Sequence, residues 1–124
     1  MQVIGKKFTF AASHQLWRDD WDVNKNREVF GKCSRLHGHN YYVEIEVTGE
    51  VDIVDGMIMN YYAIGNVITK LDHRHLNEMM ELLPTAENLS VYIAQQVENE
   101  AHGRAQVLRV MVKETDSSFA VYHP

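Results

Sequence analysis

Three histidines carry the chemistry that this chain could do. His14 closes the run Ala12-Ser13-His14, and His37 and His39 flank a glycine in Leu36-His37-Gly38-His39. Imidazole is the commonest side-chain ligand for a zinc-like ion at neutral pH, and three of them leave one position open for a substrate. On a strand, residues two apart point to the same face, so the rings of His37 and His39 would emerge together. Phe8, Phe10 and Ala12 share the parity of His14. If the two strands pair, the three rings converge on a doubly charged centre suited to polarising a hydroxyl or a carbonyl.

Other groups could work beside that centre. Cys33 lies four residues before His37, between the cations Lys32 and Arg35. Two cations and a nearby metal favour a thiolate, which could be a fourth ligand, a nucleophile or a base. A buried, inert thiol is the plainer reading. Asp72-His73 is either an acid–base pair or a solvated helix end; neighbouring helical residues point about 100° apart, so their side chains need not touch. Glu114 ends the apolar run Val110-Met111-Val112. An exposed strand end accounts for it, as does a carboxylate that accepts two N–H bonds from a heterocycle.

Composition narrows the class of protein. The chain has 124 residues, 45% of them hydrophobic and 23% charged, which suits one soluble domain spanning residues 1–124. Its formal charge of -5 argues against a nucleic-acid or membrane-surface binder. An anionic substrate would need local cations, for which Lys32, Arg35, Arg74 and Lys113 are candidates. No apolar run approaches a membrane span, and the first residues lack the pattern of a signal peptide. One cysteine excludes an intrachain disulfide and suits a cytoplasmic location.

The elements that must position these groups follow from periodicity. Val3 to His14 reads as a strand. Gln15 to Lys32 is polar and aperiodic, and reads as a long loop. Tyr41, Val43, Ile45 and Val47 alternate along a second strand, with His37 and His39 just before it in the same parity. After a turn over residues 49–56, Met57-Ile58-Met59 continues extended. Asn60 can cap a helix through Ile64, Val67, Ile68 and Leu71. Thr85 can cap a second helix, with Glu87 suited to its first turn, whose stripe is Leu89, Ile93, Ala94, Val97 and Ala101 and whose end is His102-Gly103. Strands over Ala105–Thr115 and Ser118–Tyr122 follow. The order is strand, strand, helix, helix, strand, strand: an α+β domain with an antiparallel sheet.

A family resemblance emerges from five motifs in order: Phe10-Ala11-Ala12-Ser13-His14; Cys33-Ser34-Arg35-Leu36-His37-Gly38-His39-Asn40-Tyr41; Leu71-Asp72-His73 with Leu76-Asn77; Pro84-Thr85 with Glu87-Asn88; and Val112-Lys113-Glu114-Thr115. Together they resemble the 6-pyruvoyltetrahydropterin and 6-carboxytetrahydropterin synthases. The resemblance implies the tunnelling fold (T-fold), ββααββ, a four-stranded antiparallel sheet with two helices on one face. It implies Zn2+ held by His14, His37 and His39, Cys33 as proton acceptor, His73 with Asp72 as proton relay, and Glu114 as the pterin anchor, also counted in the relay. Thr85 joins Glu114 as substrate-binding. It further implies a homo-oligomer, a trimer or a hexamer, with active sites between subunits: the metal from one chain and Asp72-His73 from its neighbour.

The implied substrate is 7,8-dihydroneopterin triphosphate, whose triphosphate is eliminated after proton removal beside the ring. One product line keeps a pyruvoyl group, as in tetrahydrobiopterin synthesis. The other releases acetaldehyde and ends as 6-carboxy-5,6,7,8-tetrahydropterin, on the route to queuosine. The three residues between Cys33 and His37 resemble the carboxy type, in which that spacing is short. Asn26-Arg27-Glu28-Val29-Phe30 and the long preceding loop resemble the pyruvoyl type, and Asn60 stands where the family usually has aspartate. A non-catalytic zinc module is the remaining reading, and an open three-histidine set argues against it.

Overall fold

The computed structural model describes residues 1–124. One five-stranded sheet organises the chain, in the order β3-β1-β2-β4-β5. Its strands are β1 (Val3–His14), β2 (His37–Gly49), β3 (Arg74–His75), β4 (Ala105–Thr115) and β5 (Ser118–Tyr122). The helices are α1 (Val23–Phe30), α2 (Tyr61–Thr69) and α3 (Ala86–Ala101). The four long strands pair antiparallel, as the alternation predicts.

Alternation decides which face is covered. Tyr41, Val43, Ile45 and Val47 of β2 are fully buried, and Phe10, Ala12 and His14 of β1 lie beside them. α2 contributes Ile64, Val67 and Ile68 to this core, and α3 contributes Leu89, Ile93, Ala94 and Val97. Both helices begin where their caps predict. The Asn60 side chain accepts from the Tyr62 N–H at 2.8 Å, and the Thr85 hydroxyl accepts from the Asn88 N–H at 3.1 Å. No helix is long and apolar enough to cross a membrane.

Four local expectations are corrected. The 15–32 segment is not all loop: Asp22 caps α1 through the Lys25 N–H at 2.7 Å, and Gly31, at a φ of 56°, ends it. α1 escapes periodicity because its one buried residue is polar. That residue, Asn26, accepts from the Arg18 N–H and donates to the carbonyls of Arg18, Trp21 and Asp22. The sheet has a fifth strand, since the two-residue β3 pairs parallel with Ala12 and Ser13, too short to show a period. β2 begins at His37 itself, so His37 and His39 are strand residues rather than its approach. Met57-Ile58-Met59 forms no strand, although Ile58 and Met59 are buried.

Asn26→Ala should lower stability by about 2 kcal/mol, because buried backbone groups lose their partners. Urea unfolding should show a lower midpoint at an unchanged slope. A midpoint equal to that of the native chain would mean that the 15–32 segment is held by something other than Asn26.

Candidate metal centre

The pairing of β1 with β2 sets His14 opposite His37 and Ala12 opposite His39. Directly opposed residues project to the same side of a sheet, so all three rings leave on one face. One ring nitrogen from each lies within 4.8 Å of the other two. The ring centroids are 4.4 Å apart for His14 and His37, 5.1 Å for His14 and His39, and 4.9 Å for His37 and His39. Gly38 allows the approach: a Cβ there would sit 3.2 Å from the Ala12 carbonyl oxygen, tighter than ordinary contact.

Hydrogen bonds assign the tautomers. His14 Nδ1 lies 2.7 Å from the Pro84 carbonyl, and His37 Nδ1 lies 2.7 Å from the Arg35 carbonyl. A carbonyl only accepts, so each Nδ1 carries the hydrogen and donates it, leaving a lone pair on each neutral ring's Nε2. Those two Nε2 atoms are 2.9 Å apart. Two lone pairs at that separation repel unless a proton or a cation lies between them. The third donor, His39 Nε2, is buried without a hydrogen-bond partner. Buried polar atoms are rarely left unpaired, and a carbonyl on the far ring nitrogen is the usual support of a metal-binding histidine. The donor set therefore fits a zinc-like ion.

Electrostatics favour the ligand form of the rings. Burial lowers the pKa of His14, with His37 and His39 adding to the effect and the Pro84 carbonyl and Glu114 opposing it. Burial likewise lowers His39. Glu114 occupies an irregularity between Lys113 and Thr115 in the β4–β5 pairing, and its carboxylate raises the values of His14, His39 and Tyr41. Its field thus reaches the histidine cluster within one chain. Tyr41 is held protonated mainly by burial, and its hydroxyl lies 3.3 Å from His14 Nδ1.

The other expected groups lie around this centre at different removes. Cys33 sits half-buried in a tight 3-10 turn over Gly31–Ser34. Its carbonyl accepts from the Leu16 N–H at 2.9 Å, two residues beyond His14. Its thiol is outside the mutually close donor group, which consists of the three histidines. Thr85 spends its hydroxyl lone pair on the α3 cap, while its neighbour Pro84 orients His14.

The side chains of Asp72 and His73, whose contact the sequence leaves open, do touch. α2 ends at Thr69, and His73 adopts a left-handed backbone with φ at 61°. This turns His73 Nδ1 to within 3.0 Å of Asp72 Oδ2. The pair is tied to β1: Asp72 Oδ1 accepts from the Ala11 N–H at 3.0 Å, and the His73 N–H donates to the Ala11 carbonyl at 2.6 Å. The Ala11 N–H, then His73, hold the Asp72 carboxyl below the usual carboxylate range. The His73 side chain is 82% exposed. Within one chain it is not part of the histidine cluster.

Sequence reasoning missed the supports. The carbonyls of Pro84 and Arg35 have no signature in residue type. Asn77 could have been noticed in Leu76-Asn77; its side chain accepts from the Gln15 N–H at 2.9 Å and donates to the Gln15 carbonyl at 2.8 Å, clamping the residue after His14.

Comparison with known proteins gives the family and the fold. The family model described as 6-pyruvoyl tetrahydropterin synthase matches residues 3–124. A 6-pyruvoyl tetrahydrobiopterin synthase from Dictyostelium discoideum is 31% identical, covering 97% of this chain and 94% of that protein. An Archaeoglobus fulgidus protein, provisionally named a 6-carboxy-5,6,7,8-tetrahydropterin synthase, is 32% identical over 95% of this chain and 92% of its own. The solved 6-pyruvoyl tetrahydropterin synthase of Caenorhabditis elegans superposes with a TM-score of 0.84 at 26% identity, covering 99% of this chain and 95% of that one.

Two outcomes test the centre. His37→Ala should weaken zinc binding more than about a hundredfold, beyond the usual loss from a supporting residue, while Cys33→Ala keeps the metal. Unchanged zinc stoichiometry in His37→Ala, measured by elemental analysis after dialysis, would remove His37 from the ligand set. The metal-free chain should also be acid-sensitive. Burial holds His14 and His39 below the ordinary value of 6.5, so the unfolded chain takes up protons that the folded one refuses. Stability from this source is complete above that ordinary value and is lost as pH falls through the depressed values. A thermal midpoint constant between about pH 7 and pH 5 would contradict the burial effect.

Proposed function

We propose that this chain, which belongs to the 6-pyruvoyl tetrahydropterin synthase family, is a zinc enzyme acting on 7,8-dihydroneopterin triphosphate. It eliminates the triphosphate and, with one water consumed, carries the side chain on to 6-carboxy-5,6,7,8-tetrahydropterin with release of acetaldehyde, a step toward queuosine and related deazapurines. The observation that carries the reading is the histidine cluster, two of whose Nε2 lone pairs face each other at 2.9 Å while the third has no partner. A zinc ion held by His14, His37 and His39 would supply Lewis acidity toward the hydroxyls of the substrate side chain.

The remaining steps belong to the chain's own groups. The Glu114 carboxylate accepts the paired N–H donors of the pterin ring, an arrangement supported by its field at the cluster. Thr85, at the start of α3, contacts the substrate beside the Pro84–His14 bond. Cys33 takes the proton from the side-chain carbon next to the ring. Ionised Asp72 accepts from His73 Nδ1, which leaves Nε2 free to move a proton at the exposed ring edge. That exposure supports an active site shared between neighbouring copies in a trimer or hexamer. The free outer edges of β3 and β5 suit such assembly, and a cytoplasmic location suits the single free thiol.

The short run from Cys33 to His37 supports the carboxy product. The pyruvoyl product is the second reading, favoured by the name of the Dictyostelium relative and by the 26–30 segment of α1. The deciding experiment incubates zinc-loaded protein with 7,8-dihydroneopterin triphosphate and measures pterin mass and acetaldehyde together. Carboxypterin with equimolar acetaldehyde is expected. A pyruvoyl product with triphosphate and no acetaldehyde would establish the second reading, and no turnover would contradict both.

A further inference from the structure

We propose that Gln15 is a positioning residue that sets Cys33 against the histidine cluster; this rests on the reading in which Cys33 takes the substrate proton. β1 ends at His14, and the next two residues reach across to the cysteine turn. The Leu16 N–H donates to the Cys33 carbonyl at 2.9 Å, and Gln15 Nε2 donates to the Ser34 carbonyl at 2.8 Å. Gln15 is itself immobilised, because Asn77 engages both its backbone N–H and its carbonyl. Its side chain therefore starts from a fixed point one residue beyond a metal ligand.

The turn at the other end is joined to the end of β1 through that contact and the Leu16 bond. Ser34 is 2% exposed, and its hydroxyl donates to the Gly31 carbonyl at 2.6 Å, closing the turn on itself. Arg35 continues the series, its carbonyl accepting from His37 Nδ1. Three successive carbonyls, of Cys33, Ser34 and Arg35, are thus held by Leu16, Gln15 and His37. Gln15 supplies the middle bond, the side-chain tie from the His14 strand to the cysteine turn. Without a donor at position 15, the Ser34 carbonyl loses its partner and the turn carrying the thiol is freer to shift relative to the cluster. A base displaced by an ångström costs turnover steeply and binding little.

The test uses the full zinc-loaded chain with Gln15→Ala and Gln15→Arg, the second of which restores an N–H donor. Cys33 is the sole cysteine, so iodoacetamide labelling reports on its thiol alone. Gln15→Ala should keep its zinc and label Cys33 several-fold faster. Its kcat on 7,8-dihydroneopterin triphosphate should fall about tenfold or more, with KM little changed. Gln15→Arg should return labelling and kcat toward those of the native chain. Labelling and kcat unchanged in Gln15→Ala would overturn the proposal, as would an Arg variant as impaired as the Ala variant. If Gln15→Ala fails to fold, Gln15→Glu keeps the stem, removes the donor, and is compared with Gln15→Arg in the same way. Should the native chain show no turnover, the reaction is wrong, and the labelling comparison alone decides the role of Gln15.

Discussion

The register between β1 and β2 is the constraint on which the rest depends. A slip of one residue would turn Phe10 and Ala12 outward while Tyr41, Val43, Ile45 and Val47 stayed inward, exposing apolar surface along half the sheet. Hydrophobic burial therefore excludes such a slip, and the pairing adopted sets His14 opposite His37 and Ala12 opposite His39. The histidines converge because His14 ends β1 while His37 and His39 begin β2, and the two strands are aligned by their apolar neighbours. At Gly38, beside them, a Cβ would press on the Ala12 carbonyl oxygen at 3.2 Å.

Convergence alone would make a poor centre, since buried imidazoles lose hydration and their rings can turn. The surrounding backbone answers both problems. The Pro84 carbonyl, just before the N-cap of α3, orients His14 from the helical layer, and the Arg35 carbonyl orients His37 from the cysteine turn. Each bond leaves a lone pair directed into the cluster, where burial lowers the pKa of His14 and His39 and so favours the neutral rings. Glu114 pulls the other way, since a nearby carboxylate favours charged imidazole. The cluster is thus poised between burial and a nearby negative charge, and a bound cation would satisfy both.

Much of this was legible in the sequence, and the misses have physical reasons. The four long strands, the two packed helices and both caps follow from periods of two and 3.6 and from Asn60 and Thr85. The histidine cluster follows from parity. α1 was invisible because it buries an asparagine rather than an apolar stripe, and β3 because two residues carry no period. The Asp72–His73 contact stays open in the sequence because it depends on one left-handed residue outside a helix. Bonds to Pro84, Arg35 and Ser34 involve main-chain carbonyls, which every residue has, and the clamp from Asn77 to Gln15 spans a sequence separation no local pattern records.

The central claim is that three imidazoles, without the thiol, form the metal centre. X-ray absorption at the zinc edge of the loaded protein tests it most directly. The expected first shell is nitrogen and oxygen at about 2.0–2.1 Å with the outer scattering of imidazole rings. A sulfur shell at about 2.3 Å would place Cys33 on the metal and contradict the account.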